Sequence, residues 1–234
     1  MAKLPILMYH HISASESAGL TIGTKELEAQ FKWLRENKFR CWYMSELEDL
    51  PRLPAGNNVM ITFDDAYVSF KEFALPLLRR YELKAMLFVP LAYLGRTDEW
   101  NSGRIPIMTA DQLNSLDPAL VELGYHSYAH KKYHQMSSEE IKEDMRKCRD
   151  VIAENEFNFY PTLAYPYGKY PRNEPAKAEF TNYLKETGFT SGLRIGNRLN
   201  SFPFKKPFEI QRLDIKGEYS LKKFIRKIKY GKLF

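Results

Sequence analysis

Short apolar runs rich in β-branched and aromatic residues recur along the whole chain, and amphipathic helical stretches separate them. That alternation narrows the fold more than any other feature. Strands are expected at Pro5–His10, Phe39–Tyr43, Val59–Phe63, Ala85–Val89, Val121–Tyr125, Thr162–Tyr165, Thr190–Arg194 and Glu209–Ile215. Runs such as Val59-Met60-Ile61-Thr62-Phe63 are apolar on both faces, which fits a parallel sheet covered by helices. Thr24 can cap a helix with Leu27, Phe31 and Leu34 on one face. Ser45 with Glu48, Thr109 with Gln112 and Ser137 with Glu140 have the spacing of capping boxes, where side chain and backbone satisfy each other's free N–H groups. About eight strands in 234 residues is tight for a complete (β/α)₈ barrel, which takes ~250. An open doubly wound sheet fits the pattern equally well. No linker, repeat or low-complexity tract interrupts the chain, so one domain over 1–234 is expected.

Apolar residues make up 44% and aromatic residues 14% of the chain, too much burial material for a disordered protein. No stretch approaches the ~20 apolar residues of a membrane span. Cys41 and Cys148 stand far apart and give neither a disulfide framework nor a zinc ribbon, so any metal site must use His and Asp. The start of the chain does not read as a secretory signal, because His10 and His11 interrupt its apolar run and no small-residue cleavage site follows. A cytoplasmic protein is therefore expected, although a chain relieved of its export signal, and so extracellular, would read the same. The net charge of +6 is confined to the end: Lys216 to Phe234 holds seven Lys and Arg against one acid, Glu218. The neutral remainder argues against a nucleic-acid-binding face.

Chemistry gathers at the ends of strands, where parallel α/β folds place their active sites. The run Val59–Phe63 ends in Asp64-Asp65, which could equally cap the following helix. Val121–Tyr125 leads into His126-Ser127-Tyr128-Ala129-His130. Histidines at i and i+4 on one helical face can grip one metal ion, although two surface histidines would read the same. His134 repeats the spacing in a polar stretch and is expected on the surface. Thr162–Tyr165 runs into Pro166-Tyr167-Gly168, a turn that can aim a backbone N–H into a cleft, and the first strand delivers His10 in the same way.

Thr62-Phe63-Asp64-Asp65 and His126-Ser127-Tyr128-Ala129-His130, taken together, make the chain resemble the polysaccharide deacetylase family, carbohydrate esterase family four. Leu7-Met8-Tyr9-His10 stands at the N-terminal end, where most of the family carries its Leu-xx-His motif near the C-terminus. That order is similar to the circularly permuted branch, which includes deacetylases of poly-N-acetylglucosamine. Ala164–Gly168, and Arg212–Ile215 leading to Ser220-Leu221 and Phe224, are similar to it as well. The resemblance implies an α/β fold, a distorted and incomplete (β/α) barrel of about seven parallel strands surrounded by helices. It also implies a metal site of Asp65, His126 and His130, with Asp64 as general base and His10 as general acid. Tyr165, Pro166 and Tyr167 would bind substrate, the Tyr167 backbone N–H facing the oxyanion. Ala164-Tyr165 stands where the family usually has an Arg before the Pro, and the Asp-rich fourth motif is not recognisable.

The function expected is metal-dependent hydrolysis of the acetamide of an N-acetylated amino sugar in a glycan, oligosaccharide or lipid-linked sugar. One divalent ion is implied, zinc first, with cobalt or nickel also fitting Asp-His-His. The alternative is a catalytically inactive carbohydrate-binding relative. A carbohydrate or glycolipid is the expected partner, and no nucleic acid. An amphipathic helix is expected from Ser220 to Lys229, with Leu221, Phe224, Ile225 and Ile228 on one stripe. Its basic face, ahead of an exposed Leu233-Phe234 end, could rest on the anionic inner face of a membrane.

Overall fold

The computed structural model describes residues 2–231. Seven parallel strands close on themselves: β1 (Ile6–Tyr9), β2 (Asn58–Asp64), β3 (Ala85–Val89), β4 (Val121–Tyr125), β5 (Phe159–Ala164), β6 (Ser191–Ile195) and β7 (Ile210–Asp214). Their order is β1-β7-β6-β5-β4-β3-β2, and β2 returns to pair with β1 from Met60 against Ile6 to Phe63 against Tyr9. This closure decides for the barrel over the open sheet. The expected strand near Phe39–Tyr43 is reduced to Arg40–Cys41, which pairs with the start of β2 outside the ring. Four further short strands, with Ala2–Leu4 paired to Asn200–Phe202 and His11–Ser13 to Thr21–Gly23, had no apolar run to announce them.

Helices α1 (Thr24–Glu36), α2 (Met44–Glu48), α3 (Leu75–Arg80), α4 (Ala110–Asn114), α5 (Ser138–Glu154), α6 (Ala176–Glu186) and α7 (Leu221–Tyr230) surround the ring. No described helix is long and apolar enough to cross a membrane. The Thr109–Gln112 and Ser137–Glu140 capping boxes form. The Ser45–Glu48 box does not. The cap of α2 lies two residues earlier, with the Tyr43 N–H donating to Glu46 at 2.8 Å, while Glu48 accepts from the Tyr160 hydroxyl. Gly23, not Thr24, caps α1.

Strand side chains alternate between two cores, as the period of 2 requires. Leu7, Tyr9, Val59, Ile61, Phe63, Leu87 and Leu213 face outward and pack with Leu27, Phe31, Leu34, Phe224 and Ile228 of the helices. Ile6, Met60, Met86, Phe88, Leu193 and Ile210 fill the barrel with a second cluster. Gly124 makes room for this filling, since a Cβ there would lie 2.6 Å from the Phe88 ring. Towards the C-terminal ends of the strands the inner face turns polar, through Thr62, Asp64, His126 and Arg212.

The final helix α7 is capped by Ser220, whose hydroxyl accepts from the Lys223 N–H. Phe224 and Ile228 are buried, with Phe224 edge-on to Trp33 of α1 at 6.1 Å, whereas Leu221 is 38% exposed. The inward stripe is thus narrower than expected, because the helix turns its first residue away from α1. Leu233 and Phe234 lie outside the described residues.

Candidate active site

Asp64 ends β2 on the inner face of the barrel, and the chain then turns through Asp65 (φ 73°) and Ala66 (φ 51°). Left-handed backbone at a non-glycine residue costs ~1–3 kcal/mol and persists only where its surroundings enforce it. Here it presents two consecutive carboxylates at the barrel mouth. His126 follows β4, but the segment to His130 is a loop and not the helical face expected from the i, i+4 spacing. Ser127 (φ 64°) and His130 (φ 52°) are left-handed too. The loop is held from inside: the His130 N–H donates to Ser127 Oγ at 2.8 Å. Asp144 of α5 accepts from the N–H groups of Tyr128 (2.9 Å) and Ala129 (3.1 Å) and from the Tyr133 hydroxyl (3.1 Å).

Asp65 Oδ1 lies 3.4 Å from His126 Nε2 and 3.2 Å from His130 Nε2, and the two nitrogens are 3.2 Å apart. A tetrahedral ion with bonds of 2.0–2.1 Å spaces its ligands by about 3.3 Å, so the three atoms fit one face of such a site. All three residues are buried, and Asp65 Oδ1 meets no properly directed donor among the described residues. His126 donates from Nδ1 to the Ala164 carbonyl at 2.8 Å, which leaves Nε2 as the lone-pair nitrogen. Burial pushes the Asp65 carboxyl up, but the two imidazoles close against it hold it well below the usual range. The donor set fits a divalent transition metal.

Asp64 is gripped by Arg212 of β7, whose two terminal nitrogens donate to Oδ1 at 2.5 Å and Oδ2 at 2.7 Å. Arg212 is 1% exposed, reaches Thr62 Oγ1 at 3.3 Å and lies over the Phe88 ring. Burial pushes Asp64 up, yet the charges of Arg212 and His126, the Arg212 hydrogen bonds and His10 bring it below the usual range. Asp64 is therefore ionised near neutral pH. His10 Nε2 stands 3.8 Å from Asp64 Oδ2. His11 turns aside, with Nδ1 2.9 Å from Ser69 Oγ, and His134 is exposed as expected.

Tyr167 stands at the same mouth, at φ 57° and 42% exposed, its ring edge-on to His130 at 4.8 Å. Tyr165 corrects the sequence reading. Its side chain is 1% exposed, stacks on Tyr170 and donates its hydroxyl to the Phe208 carbonyl at 3.0 Å. It passes over Gly192, where a Cβ would collide with the phenol. Tyr165 thus supports the loop from the core and has no surface for a substrate, and Pro166 is buried beside it. The sequence reading named Arg212 within the Arg212–Ile215 segment but gave it no role at the site, and Trp100, stacked on His130 at 4.2 Å, carried no sequence signal at all.

A family model described as polysaccharide deacetylase matches residues 53–191, which takes in Asp64, Asp65, His126 and His130 and leaves out His10 and Arg212. The chain is 29% identical over 186 residues to YxkH of Bacillus subtilis, a protein named for the polysaccharide deacetylases, covering 78% of this chain and 63% of the relative. It is 24% identical over 173 residues to the poly-beta-1,6-N-acetyl-D-glucosamine N-deacetylase of Staphylococcus aureus, covering 69% and 58%. The chain thus spans about three-fifths of the length of these relatives. Among solved structures, the fold is similar to the Streptococcus pyogenes deacetylase PplD in complex with acetate (TM-score 0.78, 22% identity, 97% and 98% coverage). It is also similar to IcaB from Ammonifex degensii (TM-score 0.76, 21% identity, 97% of both chains).

Proposed function

The chain belongs to the polysaccharide deacetylase family, and on that premise we propose that it is a metal-dependent N-deacetylase of an N-acetylated amino sugar within a glycan, oligosaccharide or lipid-linked sugar. The observation that carries the reading is the buried triad of Asp65, His126 and His130 beside an Arg212-bound Asp64 and His10. The Staphylococcus aureus relative, by its name, acts on poly-β-1,6-N-acetylglucosamine, and a polymer or oligomer of that sugar is the first substrate to try.

Asp65 Oδ1 and the Nε2 atoms of His126 and His130 would hold one divalent ion, zinc first and cobalt or nickel as substitutes. Bound there, the ion would supply Lewis-acid polarisation of the acetyl carbonyl and acidify a water. Asp64 takes the proton of the attacking water at Oδ2, the oxygen nearer His10. Arg212 orients that carboxylate and keeps it ionised. The Tyr167 backbone N–H donates to the oxyanion that forms on the carbonyl oxygen. As the C–N bond breaks, His10 Nε2 protonates the departing nitrogen, leaving acetate and a free amine. A catalytically inactive relative would be expected to lack one of these groups, and all are present.

Acetate release should be assayed with N-acetylglucosamine oligomers, peptidoglycan fragments and lipid-linked sugars, in the presence of zinc, cobalt or nickel. Release that stops on chelation and returns with metal supports the reading. No release from any of them under any metal overturns it.

A further inference from the structure

The two histidines of the triad are fixed in different ways. His126 has its Nδ1 anchored on the Ala164 carbonyl, which is how metal-binding imidazoles are usually oriented. His130 Nδ1 is buried and meets no hydrogen-bonding partner among the described residues. Its ring instead lies between two aromatic side chains. Trp100 stacks on one side with ring centroids 4.2 Å apart and planes 28° from parallel, and Tyr167 stands edge-on at 4.8 Å.

Trp100 is itself held. Tyr93 meets it edge-on at 4.7 Å, and the Tyr93 hydroxyl donates to the carbonyl of Ala129, the residue before His130. The loop that carries it is buckled around Asp98, which is fully buried. The carboxylate of Asp98 accepts from Asn101 Nδ2 (2.9 Å), Ser102 Oγ (2.8 Å) and the N–H groups of Ser102 (3.2 Å), Arg104 (2.9 Å) and Ile105 (2.9 Å). These bonds close the segment from 98 to 105 into a rigid turn with Trp100 at a fixed place in it. A buried carboxylate spent wholly on its own loop is costly unless the loop must keep one shape.

We propose that Trp100, set by the Asp98 turn, is a positioning residue for His130, its stacked ring doing for that imidazole what the Ala164 carbonyl does for His126. This rests on the reading of Asp65, His126 and His130 as metal ligands. The stack fixes the direction of the Nε2 lone pair, and without it the His130 ring can rotate about its Cβ–Cγ bond with no hydrogen bond to stop it. Loss of a partner that orients a metal ligand typically weakens the metal by about 10–100-fold.

The test is zinc affinity, measured by competition with a fluorescent chelator on the metal-stripped protein. Wild type, Trp100→Ala, Trp100→Phe and Asp98→Ala are compared, each first shown to be folded by circular dichroism. The proposal expects about 10–100-fold weaker zinc in Trp100→Ala, near-wild-type affinity in Trp100→Phe, whose ring can still stack, and a loss in Asp98→Ala although that residue touches no ligand. Zinc should change the tryptophan emission of wild type, and the change should vanish in Trp100→Phe. Wild-type affinity in Trp100→Ala overturns the proposal while leaving the metal site intact, and so does a rise in KM alone, which would make Trp100 a wall for the sugar. A wild-type protein that binds no zinc, cobalt or nickel overturns both this proposal and the function it rests on.

Discussion

Arg212 and Asp64, separated by 148 positions in sequence, form a two-point ion pair in the barrel interior, at 2.5 and 2.7 Å. The pair ties the last barrel strand to the strand that carries the carboxylates. Both groups are buried, so neither can lose the other without leaving an uncompensated charge. Arg212→Lys keeps the charge and loses the planar fork. It should retain zinc while kcat falls by about 10²-fold, within the ~10²–10⁴ that a general base supplies. Unchanged turnover in Arg212→Lys would show that the fork does not orient Asp64.

Ligand and proton-transfer roles separate cleanly by substitution. His130→Ala should remove the metal, whereas Asp64→Asn and His10→Ala should each keep it and lose ~10²–10⁴ in rate. Metal analysis and acetate release on the same preparations distinguish them. Full metal occupancy in His130→Ala would break the triad assignment.

Asp98 gives a pH dependence of stability. Burial pushes its carboxyl up, but hydrogen bonds from Ile105, Ser102 and Asn101 bring it below the usual range. A folded pKa below the unfolded value of ~3.9 means that its contribution is fully present above about pH 4. It is lost as pH falls through the lower folded value. Asp98→Ala should therefore be less stable than wild type at pH 7, by ~1.5–3 kcal/mol for bonds to a charged group. The gap should narrow below pH 4, as followed by urea midpoints in chelator. A gap that stays constant down to pH 2.5 would assign the loss to packing.

Phe224 is the main anchor of α7, fully buried and edge-on to Trp33. Phe224→Ala should cost ~3–5 kcal/mol, and Leu221→Ala well under 1 kcal/mol. Equal costs would mean that the helix packs in another register.

The outer face of α7 carries the exposed Lys222, Lys223, Arg226 and Lys229. Leu221 is exposed at its start, and Leu20, 47% exposed, sits on a loop joined to the segment before the helix by the Gly217 N–H to Gly19 carbonyl bond. We propose that this face rests on anionic lipid, where each basic residue adds ~1 kcal/mol. The protein should sediment with anionic vesicles at low salt and be released at high salt. Protein that stays in the supernatant at low salt defeats the proposal.

Much of this was legible in sequence because it is local. Burial on both faces marked β2 and β3, and the ends of the runs at β2 and β4 marked where Asp64, Asp65 and His126 would stand. Ser137–Glu140 and Thr109–Gln112 announced their helices because a capping box needs only four consecutive residues. The i, i+4 spacing of His126 and His130 was read correctly as a pair and wrongly as a helix: the left-handed turns at Ser127 and His130 are enforced by Asp144, from another element. Tyr165 looked like a substrate contact because it sits in a motif, but Gly192 on the next strand opens a slot that draws it into the core. Arg212 stood out only within the Arg212–Ile215 segment, and its partner depended on closing β1 against β2 and β7 against β1, which fixes what faces what across the barrel. Trp100 reaches His130 only because Asp98 gathers donors from four residues of one loop. Alternation along a strand is written in neighbouring residues, whereas meetings across the barrel are set by registers that no single segment contains.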